Sequence, residues 1–114
     1  MELTKVTLTR QDGIGVVTMD FPANLNAMDV PMTRELVYVL QACDEDPEIK
    51  VVVLTHSGKA FCSGGDLAYM HAAIKDGSFD PKDNELSRLV GRLALTVKRM
   101  KKLVIAVLGG VAAG

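Results

Sequence analysis

Two continuous apolar runs, IKVVVLTHS at 49–57 and LVIAVLGG at 103–110, constrain the fold of this chain more than any other feature. Each has strand length, is rich in β-branched residues and lacks polar alternation, so each reads as a strand buried on both faces. Such strands pair in parallel, and parallel pairing requires crossover connections that lay helices over the sheet. Both runs lead into glycine. Glycines there stand at the carboxyl edge of the sheet, where open α/β sheets bind their ligands.

The remaining segments supply the crossovers. Residues 3–10 and 14–20 are strand-like and are joined through Asp12-Gly13, a hairpin signal. Asp29 precedes Val30-Pro31, which places a capping carboxylate and an early proline at a helix start. From there Met32, Leu36, Val39 or Leu40, and Cys43 recur at helical spacing until DEDPE stops the helix near residue 46. Residues 66–75 read as a second helix, KDGSFDPKDN as a solvated loop, and a third helix carries Leu86, Leu89, Val90, Leu93, Val97 and Met100 along one face. The order β, β, α, β, glycine loop, α, α, β, glycine loop predicts an α/β fold.

Composition narrows the function classes. The 114 residues carry a formal net charge of −1, so no basic surface points to nucleic acid or to an anionic membrane. The one basic cluster, KRMKK at 98–102, reads as the solvated last turn of the third helix. No apolar run reaches the roughly 20 residues of a membrane span, and the opening MELTKVTLTR has no apolar signal core. Cys43 and Cys62 lack metal or disulfide spacing and fit a reducing compartment. These features predict a cytoplasmic protein.

The stretch GKAFCSGGDL at 58–67 follows the first buried run and opens the second helix. It is not a G-x-x-x-x-G-K-[ST] phosphate loop, nor is GGVAAG at 109–114 a G-x-G-x-x-G turn. Two readings of Gly64 and Gly65 stand side by side: a turn that only redirects the chain, or bare amides at a helix mouth that hold a negative oxygen. Cys62 and His56 flank the loop as a conceivable thiol and base, without a third group to orient them. His71 lies five residues after Asp66, which is poor spacing for a shared metal site, and no metal is implied.

Three segments together, FPANLNAMD at 21–29, GKAFCSGGDL at 58–67 and KKLVIAVLGGVAAG at 101–114, resemble the crotonase family of enoyl-CoA hydratases and isomerases. The middle segment is the most specific. The resemblance implies a crotonase-like ββα spiral truncated near its midpoint, with residues 1–114 the amino-terminal part of one acyl-CoA-binding domain. Carried over by position, Gly65 matches the residue whose amide is the first oxyanion donor. Asn24, Leu25, Ala27, Ala60, Ser63, Asp66, Leu67 and Ala68 match positions along the coenzyme A moiety, with Asp66 also read as a helix cap. Relatives often carry a lysine where this chain has Ala68, so one charge contact to the nucleotide is missing.

The resemblance further implies hydration or isomerisation of an enoyl thioester through an enolate, with coenzyme A as part of the substrate and no separate cofactor. Family members are more than twice as long. Gly114 matches the glycine just before their second oxyanion donor, and none of the fourteen Asp and Glu residues matches either catalytic glutamate. The expectation is therefore a homo-oligomeric enzyme, a trimer or dimer of trimers at full length, of which this portion alone is inactive. The alternative is a non-catalytic coenzyme A-binding or assembly module.

Overall fold

The structure is a computed structural model describing residues 1–113. It opens with the hairpin of β1 (Val6–Gln11) and β2 (Ile14–Met19), paired antiparallel so that Gln11 faces Ile14. Both loop residues are left-handed, Asp12 at φ 52° and Gly13 at φ 81°, the twist that suits a two-residue hairpin. A short 3-10 turn at Pro22–Asn24 leads to helix α1 (Val30–Glu45), whose start is capped by Asp29 Oδ1 accepting from Met32 N at 2.8 Å. Strand β3 (Val51–His56) then pairs parallel to β2.

After the glycine segment come α2 (Leu67–Asp76), α3 (Glu85–Arg99) and β5 (Leu103–Ala106), which pairs parallel to β3. The sheet order is β1-β2-β3-β5. Two short strands that sequence periodicity did not reveal, β4 (Ala60–Cys62) and β6 (Val111–Ala112), pair parallel in a separate two-stranded sheet. This parallel α/β arrangement agrees with the sequence reading. No helix among the described residues is long and apolar enough to cross a membrane.

The core lies between one face of the sheet and α1. Val6, Val17, Met19 and Val52 meet Met32, Leu36, Val39, Leu40 and Cys43, all buried, and Leu93 and Met100 of α3 pack against the same cluster. Because both long helices lie on this face, the opposite face of the sheet is uncovered in this chain. The expectation of two doubly buried strands is corrected accordingly. In β3 only Val52 is fully buried, and in β5 Leu103 is 63% exposed and Ile105 44%. Along α3, too, only Leu86 is buried; Val90 and Val97 remain exposed.

Two side chains tie the ends of this layer together. The buried Glu35 carboxylate accepts from the amides of Thr4 (2.8 Å), Lys5 (2.8 Å) and Val6 (3.1 Å) and so fixes the start of β1 to α1. Lys102, expected as part of a solvated cluster, instead donates from Nζ to the carbonyls of Cys43 and Asp46 at the carboxyl end of α1. Cys43 O also accepts from Asp46 N at 3.3 Å and Asp46 O from Ile49 N at 3.1 Å, and a cation at this end of the helix complements the dipole.

Candidate functional site

The segments 21–29 and 57–66, distant in sequence, are knitted together by backbone bonds. Ser63 N donates to Leu25 O at 3.1 Å, Met28 N to Gly64 O at 2.8 Å, and Asp66 N to Met28 O at 3.0 Å. Asn26 locks the arrangement. It is fully buried, sits at φ 53°, accepts at Oδ1 from Phe21 N (2.8 Å) and donates from Nδ2 to Ser57 O (3.0 Å) and Ala60 O (2.9 Å). Asparagine tolerates the left-handed backbone and supplies one acceptor with two donors, which is what this crossing needs.

Of the four successive amides from Ser63 to Asp66, three are spoken for. Ser63 and Asp66 donate as above, and Gly64 N donates to Cys62 Sγ at 3.3 Å. The Gly65 amide has no acceptor among the described residues. The two glycines do different jobs. Gly64 is in the left-handed region, at φ 105°, and turns the chain; Gly65 is not, and a Cβ built on it would lie 3.3 Å from Met70 Cε. Directly after it, Asp66 Oδ1 accepts from Ala68 N at 3.1 Å and caps α2, so the free Gly65 amide stands at the positive end of that helix.

Gly65 lines a cleft of about 420 Å³. Met28, Met70, Leu86 and Val90 give it apolar walls, the backbone of Gly64, Gly65 and Ala113 forms its floor, and Ser87 adds a hydroxyl. A second cleft of about 320 Å³ shares Met28 and Ala113 and runs between the sheet and α3, past Leu54, Phe61 and Leu93. Among the described residues, no carboxylate, imidazole, amine or guanidinium lines either one. Such a site can hold an uncharged carbonyl group and stabilise added negative charge on its oxygen through a preorganised amide.

Of the residues that the resemblance assigns to the site, Gly65 alone lines the larger cleft, beside its neighbour Gly64. Ala27 and Ala60 are buried beneath the crossing loops, whereas Ser63, Leu67 and Ala68 are exposed outside it, with Leu67 76% exposed. Leu25, at φ 59°, and Asn24 lie on the neighbouring turn; Asn24 Oδ1 is buried without a partner among the described residues. Gly114 lies outside the described residues. Cys62 and His56 are not hydrogen-bonded to one another: Cys62 Sγ accepts from Gly64, and His56 Nε2 accepts from Gly109 N at 2.8 Å. Sequence reasoning missed Asn26, Met28, Met70 and Ser87, since only the folded crossing shows what each of them touches.

Comparison with known proteins bears on the family and the fold of the chain. A family model described as enoyl-CoA hydratase/isomerase matches residues 9–114. The chain is similar to the mitochondrial 3-hydroxyisobutyryl-CoA hydrolase of Gallus gallus, with 32% identity over 110 residues, covering 96% of this chain and 28% of that protein. It is likewise similar to the enoyl-CoA hydratase ACTT3 of Alternaria alternata, with 34% identity over 103 residues, covering 90% of this chain and 33% of the relative. Among solved structures, Pseudomonas aeruginosa PA4980 superposes with a TM-score of 0.88 at 29% identity, covering 100% of this chain and 48% of that one. The chain thus spans roughly a third of the curated relatives' length and under half of the solved structure.

Proposed function

We propose that this chain, which belongs to the enoyl-CoA hydratase/isomerase family, forms the part of an acyl-CoA site that grips the thioester carbonyl. The observation that carries the reading is the unpartnered Gly65 amide at the mouth of α2, on a residue that lines a cleft with apolar walls. A thioester oxygen placed there accepts the amide hydrogen bond. As the thioester becomes an enolate, the oxygen gains charge, and an amide already aimed at it stabilises that charge without reorganising.

In this reading Asn24, Leu25, Ala27, Ala60, Ser63, Asp66, Leu67 and Ala68 border the coenzyme A moiety, and the reaction is hydration or isomerisation of an enoyl thioester. The second oxyanion donor and the acid and base groups come from outside the described residues. One observation favours the module reading for the 114 residues taken alone: among the described residues no carboxylate, imidazole or amine lines the cleft to act as acid or base. Without a positioned acid and base, water addition loses a factor of about 10²–10⁴ for each.

Titration with acetoacetyl-CoA tests the reading, since its enolate absorbs and mimics the charged intermediate. Weak saturable binding, competed by free coenzyme A, together with no hydration of crotonyl-CoA, is the expected result. Absence of any binding would remove the acyl-CoA site; hydratase activity from these 114 residues would show that the proton-transfer groups lie within them after all.

A further inference from the structure

We propose that His56 is a positioning residue for the cleft, acting through the Gly109 amide and requiring a neutral ring with its proton on Nδ1. This rests on the acyl-CoA reading only for its effect on ligand binding; the tautomer and the contact stand apart from it.

The chain leaves β5 at Ala106 and must cross to β6, whose following residue Ala113 lines both clefts. The last three residues of β3 hold this crossing at successive points. Val107 N donates to Leu54 O at 2.9 Å, Thr55 Oγ1 donates to Val107 O at 3.2 Å, and Gly109 N donates to His56 Nε2 at 2.8 Å. One residue later the chain passes so close to Lys59 that a Cβ on Gly110 would lie 1.8 Å from the Lys59 carbonyl oxygen. The turn is therefore threaded between the His56 ring and the Lys59 carbonyl. Beyond it, Ala113 N donates to Cys62 O at 2.9 Å, which completes the β4–β6 pairing beside the Gly65 segment.

Of the three contacts, only the one from His56 depends on protonation. A backbone N–H can donate only to the unprotonated ring nitrogen, so Nε2 carries the lone pair and Nδ1 the hydrogen. Nδ1 is buried with no partner among the described residues, and Phe61 packs edge-on against the ring with centroids 5.6 Å apart. Protonation would set an Nε2–H against the Gly109 N–H and release the turn. The ionisable side chains on the neighbouring segments are Asp20, which accepts from Ser57 Oγ at 2.6 Å, Lys59, and Cys62, whose Sγ accepts from Gly64 N; none of them is bonded to the ring.

The test combines nitrogen NMR of the protein with His56→Ala and His56→Gln. The chain has two histidines, so His71→Gln assigns the ring signals. The expected result is a His56 ring carrying its hydrogen on Nδ1, with the Gly109 amide hydrogen-bonded to Nε2. His56→Ala should lose hydrogen-exchange protection at Gly109 and Ala113 and weaken acetoacetyl-CoA binding by about three- to tenfold, the worth of one hydrogen bond. His56→Gln, whose amide oxygen can accept from Gly109, should restore protection and affinity. A ring protonated at Nε2, or equal behaviour of the two variants, overturns the proposal. If the parent protein binds no coenzyme A thioester, the acyl-CoA reading fails, while the tautomer and exchange measurements still decide the role of His56.

Discussion

Asn26 donates to the carbonyl of Ala60 at 2.9 Å across 34 residues of sequence, and this bond joins the two loops between which the Gly65 amide is left free. The side chain is fully buried and makes three bonds in all. Asn26→Ala strands one amide and two carbonyls in a dry setting and gives up a residue suited to φ 53°. The expected loss is about 2–4 kcal/mol of stability by denaturant unfolding. Asn26→Asp should be no milder, because it keeps the acceptor but turns a carboxylate oxygen toward two carbonyls.

The two adjacent glycines should respond differently to the same change. Gly64→Ala forces a side chain to φ 105° and should cost about 1–3 kcal/mol. Gly65→Ala keeps the amide and meets only the flexible tip of Met70, so the fold should survive. Gly65→Pro removes the donor. In an active enzyme containing this chain, turnover should fall by about 10²–10³ with the fold intact by circular dichroism. A proline variant working at the parental rate would leave both glycines as a structural turn.

Cys43 offers a pH test of the core. Burial pushes its thiol above the ordinary value of 9.0, with Arg10 and Lys102 partly opposing the shift. A folded state that holds the proton more tightly than the unfolded chain is favoured below the unfolded pKa and loses that advantage as pH rises toward the folded pKa. Stability should therefore decline above about pH 9 more steeply in the parent than in Cys43→Ala, measured by urea midpoints across the alkaline range. Equal slopes would mean that the thiol does not differ between the two states.

The uncovered sheet face bears on assembly. Strand β5 is paired with β3 along one edge only, and Leu103, Ile105, Val107, Leu108 and Val111 are all exposed. An open edge beside exposed apolar side chains invites pairing with another chain. Sedimentation of the 114-residue chain should show concentration-dependent association, and exchange of Ile105 for lysine should reduce it. A monodisperse monomer at high concentration would show that this face tolerates water.

Local chemistry determined much of this protein by itself. The Asp12-Gly13 hairpin, the Asp29 and Asp66 caps, and the apolar stripe of α1 depend on residues within a turn or two of one another, so neighbouring sequence suffices to read them. The location of the glycine segment between a strand and a helix was legible for the same reason. Only the tertiary structure decided which face of each strand is covered, because that depends on α1 and α3 lying on the same side. It also decided the β4–β6 pairing, the task of Asn26, and the division of labour between Gly64, which turns, and Gly65, which is left with a free amide. Whether an amide is free depends on which distant carbonyls arrive beside it, and hydrogen bonds between residues some 35 positions apart leave no periodic trace in the sequence.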